Sequence, residues 1–474
     1  MNDSSIAHWT LERVRDAIAT GEVSARDATE ACVARLEGSG RTLNAVAGLD
    51  AETALAAADA ADATPKDDRG PLHGVPLAHK DMFYRKGRVS ACGSGIRADF
   101  VPDVTASVLA RLDAAGALDI ARLNMVEFAF GLTGHNDITG VVRNPWNADY
   151  ITGGSSSGSG SMVGARAVFG ALGSDTGGSI RFPSACCGVV GMKMTWGRVS
   201  RFGCMPLSSS LDTIGPLTRT VRDNAMIFQA IAGPDTDPAA TDDTTAQIAV
   251  PDALGTIEDG AKGLRIGVPS NLFLDMAEPE IGDVVEAAIK VYRDLGAEII
   301  SVDVPPETAY GNTFTSMIAS VEGYALHAHW LATRYQDYGA QTAARLLTGS
   351  MVPANRYAEA LMLRAGITGT FVDAVYDRVD ALLVPVLMTG VPTIEESDVG
   401  ANPGFMRMVN RAGHATRPAN YMGLPSLTLP FGFDAAGLPY AFQLMGRPFG
   451  EGILYRAGRA FERETLCTDP APDL

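Results

Sequence analysis

The chain has 474 residues, 46% hydrophobic and 20% charged, which gives ample apolar content for a large packed core. Its formal charge of −17 and pI near 4.8 exclude the basic patch of a nucleic-acid-binding surface and docking on anionic lipid. No apolar run approaches the roughly 20 residues of a membrane span.

The N-terminus lacks a basic segment followed by an apolar one, so no secretory leader is expected. Residues 10–37 predict two helices, the second capped by Ser24 with Asp27 in its first turn. Residues 50–62 are alanine-rich and helical, and 64–70 form an exposed loop. Val75 to Ala78 reads as a short strand leading to Lys80. A helix over 104–115 precedes a strand at Ala117–Ala121. Residues 158–169 read as a helix crowded with Gly, Ser and Ala, which suits close packing against neighbours. Residues 234–260, rich in Asp, Thr, Ala and Pro, read as a surface excursion. A β-α-β pattern follows at Leu264–Val268, about 282–295 and Glu298–Val304. Residues 355–378 read as a helix and Ala381–Val384 as a buried strand. Leu427–Leu429 and Tyr440–Leu444 read as strands, and Gly450–Glu462 as a helix. Strands alternating with helices predict an α/β layered fold.

Two serine-bearing glycine runs carry the chemistry: Gly153-Gly-Ser-Ser-Ser-Gly-Ser-Gly160 and Gly173-Ser-Asp-Thr-Gly-Gly-Ser-Ile-Arg181. Glycine lets backbone approach a ligand closely, and a serine beside a base is a nucleophile. Gly154-Ser-Ser-Ser-Gly158 matches a G-x-S-x-G elbow with Ser156 as nucleophile and His414 as a late histidine, but the residues before it make a poor strand. Asp175-Thr176-Gly177 resembles half of an aspartic-protease site and has no second copy to share a proton. No phosphate-binding P-loop is present. The seven histidines form no H-E-x-x-H pattern, and the six cysteines (Cys32, Cys92, Cys186, Cys187, Cys204 and Cys467) form no C-x-x-C pair. No metal or organic cofactor is therefore expected, and scattered thiols suit a reducing, cytoplasmic setting. A hydroxyl nucleophile without histidine needs another base. Lysine serves when burial disfavours its charged form, and Lys80, after an apolar strand, is the candidate.

The chain resembles the amidase signature family over nearly its whole length. The resemblance rests on Gly70-Pro-Leu-His-Gly-Val-Pro-Leu-Ala-His-Lys80-Asp81, on Asn144-Pro-Trp, on the two serine runs and on Gly191-Met-Lys193. Ser210-Leu-Asp-Thr-Ile-Gly-Pro-Leu-Thr-Arg219, Asn420-Tyr-Met-Gly-Leu-Pro425, Gly437-Leu-Pro439 and Gln443 extend it. It implies a single α/β domain over 1–474, with a mixed β-sheet covered by helices on both faces and N-terminal helices over about 1–62. It also implies a triad: Ser179 as nucleophile, Ser155 after a cis peptide bond as proton relay, and Lys80 as neutral base. The backbone amides of Thr176, Gly177, Gly178 and Ser179 would form the oxyanion hole. Asp175 and Arg181 would brace the loop, and Met125 and Phe128 match a segment near the acyl pocket. Thr152 departs from the pattern, standing where many members have proline.

The implied activity is hydrolysis of an acyl C–N bond through an acyl-serine intermediate. The substrate would be a small-molecule amide, aryl amide or hydrazide, with water as co-substrate and a homodimer as one expected assembly. The alternative is the glutaminase subunit of a tRNA-dependent amidotransferase. Arg201-Phe-Gly-Cys-Met-Pro-Leu-Ser-Ser-Ser-Leu-Asp212 resembles that subunit in part and departs from it at Met205-Pro206-Leu207. The basic segment expected of it is also missing around Ala344-Arg-Leu-Leu-Thr-Gly349. A catalytically dead scaffold is disfavoured because all three triad positions are intact.

Overall fold

A strand buried on both faces is written in continuous apolar or small residues, because no side of it meets water. The computed structural model, which describes residues 6–236, 242, 244–400 and 404–473, is built around such strands. In chain order they are β1 (Val46–Leu49), β2 (Pro76–Lys80), β3 (Leu118–Leu123), β4 (Gly170–Asp175), β5 (Val190–Lys193) and β6 (Thr213–Thr218). Then come β7 (Arg265–Pro269), β8 (Glu298–Val302), β9 (Ala381–Pro385), β10 (Ser426–Phe433) and β11 (Pro439–Gly446). Among the described residues they form one mixed sheet in the order β1-β3-β2-β4-β6-β5-β10-β11-β9-β7-β8. β2 runs parallel to both β3 and β4, β7 parallel to β8 and β9, and the middle of the sheet is antiparallel. Every residue of β2, β4, β5, β6 and β9 is buried.

Helices flank the sheet. The expected N-terminal pair forms at Leu11–Thr20 and Ala25–Glu37. Ser24 Oγ accepts from Asp27 N at 2.9 Å while the Asp27 carboxylate accepts from Ser24 N at 2.8 Å, a reciprocal cap that satisfies two donors at once. The β-α-β unit is present as β7, a helix over Pro279–Asp294 and β8. The helix Glu451–Thr465 lies against β10 and β11.

One expectation needs correction. The helix read over 158–169 is Ser157–Gly164, because Arg166 takes a left-handed φ of 56° and turns the chain back toward β4. The expected excursion over 234–260 lies partly outside the described residues, and its described end holds a short helix at Ala253–Thr256. β4 and β6 gave no strand signal, since Gly-Ala-Leu-Gly-Ser-Asp and Thr-Ile-Gly-Pro-Leu-Thr lack the β-branched alternation of a half-exposed strand.

The helix Ser157–Gly164 shows why its sequence is so small. Gly158 N donates to Asn124 O at 2.8 Å. A Cβ on Gly158 would lie 2.6 Å from Asn124 O and 2.7 Å from Ala45 O, both main-chain atoms that cannot swing aside. This contact seats the helix on β3 and so fixes where the preceding loop, with Ser155, meets the end of β2. Gly158→Ala is expected to destabilise the protein by about 1–3 kcal/mol, as overpacking does, measured as a lower urea midpoint. An unchanged midpoint would show that the helix can lift away from β3.

Candidate active site

Lys80 is the last residue of β2 and is fully buried. The neighbouring parallel strand β4 ends at Ser174 and Asp175, so the two strands deliver an amine and a hydroxyl side by side. Lys80 Nζ donates to Ser155 Oγ and to Ser174 Oγ, each at 2.8 Å. Burial lowers the Lys80 ammonium to about 7, although the nearby Asp212 and Asp175 carboxylates pull it up. The interior position therefore favours the neutral amine.

Ser155 follows a cis Gly154–Ser155 peptide, and the turn is closed by backbone contacts. Gly154 N donates to Leu132 O at 2.7 Å, and Ser155 O accepts from Val126 N at 3.1 Å. Gly153, at φ 68°, could not carry a side chain, since a Cβ there would meet Phe182 C at 2.9 Å. Ser156, the serine of the elbow reading, is fully buried and exchanges hydrogen bonds with the Ser174 main chain. His414 is held by Leu272 O at 2.7 Å and contacts Asn312. Ser156 and His414 thus have separate partners.

The loop from Asp175 to Ser179 is organised by one carboxylate. Asp175 accepts from Gly178 N at 2.8 Å, from Ile180 N at 3.2 Å and from both Arg181 Nε and Nη2 at 3.0 Å. Arg181, also fully buried, extends this grip to Thr416 O and Gln443 Oε1 at 3.0 Å and to Asn420 Oδ1 at 2.6 Å. Burial alone would raise the Asp175 carboxyl, but the Arg181 guanidinium overrides it and holds the group well below the usual carboxylate range. Thr176 Oγ1 donates to Asp212 Oδ1 at 2.6 Å, and Thr416 Oγ1 donates to Gly177 O at 2.8 Å. Asp175 and Arg181 thus tie this loop to the C-terminal segments.

Ser179, Thr176 and Gly177 line a cavity of about 490 Å³. Ser179 is only 2% exposed, and its carbonyl accepts from Ser156 N at 3.2 Å. Two expectations fail here. Gly178 N is bound to the Asp175 carboxylate, so it is not among the amides free to receive an oxyanion. Met125 and Phe128 are buried but do not line the cavity. Phe128 and Ala129 both take left-handed φ values, 47° and 62°. This turn brings the main chain of Ala129 to Leu132 to the cavity while the Phe128 ring packs 4.3 Å from His327. Sequence reasoning also missed Ser174, Arg345 and Arg417. Ser174 sat in plain view within the second serine run. The two arginines come from distant segments, Ala340–Thr348 and the start of Arg417–Tyr421, that only the fold brings together.

The Lys80 shift has a signed consequence. Its folded pKa, about 7, lies below the ordinary 10.5. Below about 7 both states hold the proton and burial of the ammonium opposes folding in full. Between about 7 and 10.5 the unfolded chain binds more protons, so stability rises with pH across that window. Wild type is expected to gain stability relative to Lys80→Met from pH 7 to pH 10, read from urea midpoints, and a constant difference would contradict the depressed lysine.

A family model for amidases matches residues 27–454. The A subunit of glutamyl-tRNA(Gln) amidotransferase from Geobacter metallireducens is 36% identical over 480 residues, covering 96% of this chain and 97% of that protein. A solved structure, from a vestigial protein complex that reveals the evolutionary origins of an s-triazine catabolic enzyme, superposes with a TM-score of 0.88 at 33% identity. It covers 96% of this chain and 98% of that one. The A subunit of the Thermotoga maritima glutamyl-tRNA(Gln) amidotransferase gives a TM-score of 0.80 at 30% identity, covering 97% and 95%. With the family model spanning most of its length and full-length relatives above 30% identity, the chain belongs to the amidase signature family, whose members include amide C–N hydrolases.

Proposed function

We propose that this chain hydrolyses the C–N bond of a small carboxylic amide through an acyl-Ser179 intermediate. One observation carries the reading: a buried lysine lowered to about 7 is hydrogen-bonded to Ser155 beside the loop that presents Ser179 to the cavity. As Ser179 Oγ attacks the acyl carbon, its proton passes to Ser155, whose own proton passes to neutral Lys80. The carbonyl oxygen becomes an oxyanion received by backbone amides of the Thr176–Ser179 loop other than Gly178. Such a donor contributes about 10²–10³ in rate. The proton returns from Lys80 through Ser155 to the nitrogen, which leaves as neutral ammonia or amine. Water then attacks the ester by the same relay and frees the acid and Ser179. Arg181 and Asp175 act by holding the loop.

The full-length relatives named as the A subunit of the amidotransferase support the glutaminase reading ahead of aryl amides and hydrazides. On it the nitrogen released is ammonia and the working form includes a protein partner. A free-standing hydrolase is the second reading. It is favoured by Leu207, which lies in the stretch departing from the glutaminase pattern and forms part of the cavity wall.

Ser179→Ala is expected to lower ammonia release by roughly 10⁴-fold or more, as loss of a serine nucleophile does, with circular dichroism unchanged. Retained turnover would remove Ser179 as the nucleophile. Glutamine hydrolysis that requires the other amidotransferase subunits supports the first form. Vigorous amide hydrolysis by the isolated chain supports the second.

A further inference from the structure

The cavity in front of Ser179 carries two guanidinium groups and, among the described residues that line it, no carboxylate. Arg345 lies on the helix Ala340–Thr348, and its Nη1 donates to Phe130 O at 2.7 Å. Arg417 is 7% exposed, and its Nη2 donates to Val409 O at 3.1 Å. Among the described residues Arg417 forms no ion pair, whereas the other fully or nearly buried arginine of the site, Arg181, is locked to Asp175. Arg417 is also close to the chemistry. It follows Thr416, which holds Gly177 O, and a Cβ on Gly177 would lie 3.9 Å from Arg417 Cγ.

A buried cation without a counter-ion is costly, and Arg417 is one that opens onto the cavity. Arg345 adds a second positive charge to the same wall. Burial and the charge of Arg417 lower the Arg345 guanidinium to about 10, with Asp137 opposing them; burial lowers Arg417 to about 10. Both therefore remain cations at neutral pH. The rest of the wall is neutral, with the hydroxyls of Thr315 and Ser316, the amides of Gln341 and Asn410, and apolar side chains. Planar guanidinium groups match a carboxylate through paired N–H donors. An ammonium group would meet like charge and find no acid on the wall.

Resting on the amidohydrolase reading above, we propose that Arg345 and Arg417 form an anion subsite that selects amides bearing a carboxylate a few atoms from the scissile carbon. The α-ammonium of an amino-acid amide adds nothing to recognition. Glutamine would be held by its carboxylate alone, and its deaminated analogue, the monoamide of a short dicarboxylic acid, would be an equal or better substrate.

The test compares kcat/KM for glutaramate, glutamine and uncharged butyramide, using the chain with whatever partner its activity requires. Glutaramate is expected to match or exceed glutamine, and butyramide to fall on the order of 100-fold below, the scale of losing a charged partner in a buried pair. Arg417→Gln is expected to collapse the glutaramate-to-butyramide ratio, mainly through KM. Should that variant not fold, competitive inhibition of wild type by glutarate and its absence with butyramide as inhibitor read the same subsite. Glutamine preferred tenfold or more over glutaramate, or butyramide hydrolysed as well as glutaramate, would overturn the anion subsite and leave the amidohydrolase reading standing. Ser179→Ala matching wild type on every amide would instead overturn that reading.

Discussion

The buried Asp175–Arg181 pair is the constraint on which the site depends. Two opposite charges removed from water are tolerated only when their remaining lone pairs and protons are satisfied. Here they are satisfied by the parts that must be fixed. Asp175 spends its oxygens on Gly178 N and Ile180 N as well as on the guanidinium, so the loop bearing Ser179 is moulded around the carboxylate. Arg181 spends its protons on Thr416, Asn420 and Gln443, so the same pair ties the loop to the C-terminal segments and to β11. The geometry around Ser179 thus follows from electrostatic necessity.

Lys80 is the complementary case, a charge left without a carboxylate in hydrogen-bond contact. Its partners are two hydroxyls, which satisfy an amine but compensate an ammonium poorly. One buried cation is therefore paired with a carboxylate and another is pushed toward neutrality, within the same few strands. Different partners, at equal burial, separate a structural role from a chemical one.

Sequence reading went furthest where function dictates residue type locally. Ser24 with Asp27, the β-α-β unit and the two serine runs were legible because each is a short pattern with its own physical reason. β4 and β6 were not, since burial on both faces replaces alternation with small residues. Met125 and Phe128 were misplaced because the left-handed turn at Phe128 and Ala129 carries no glycine to announce it. Gly178 was misjudged because a motif does not say where each N–H points. Arg345 and Arg417 stand more than 160 positions beyond Ser179, and no spacing rule links them to it.

Lys80 and its second hydroxyl partner, Ser174, come from the ends of adjacent strands, while the cavity wall is borrowed from helices and connections remote in sequence. The strand framework around Lys80 and the cavity wall are therefore separable parts of the fold. Mutation can therefore redraw what enters the cavity without disturbing the strands that hold Lys80 beside its two hydroxyls.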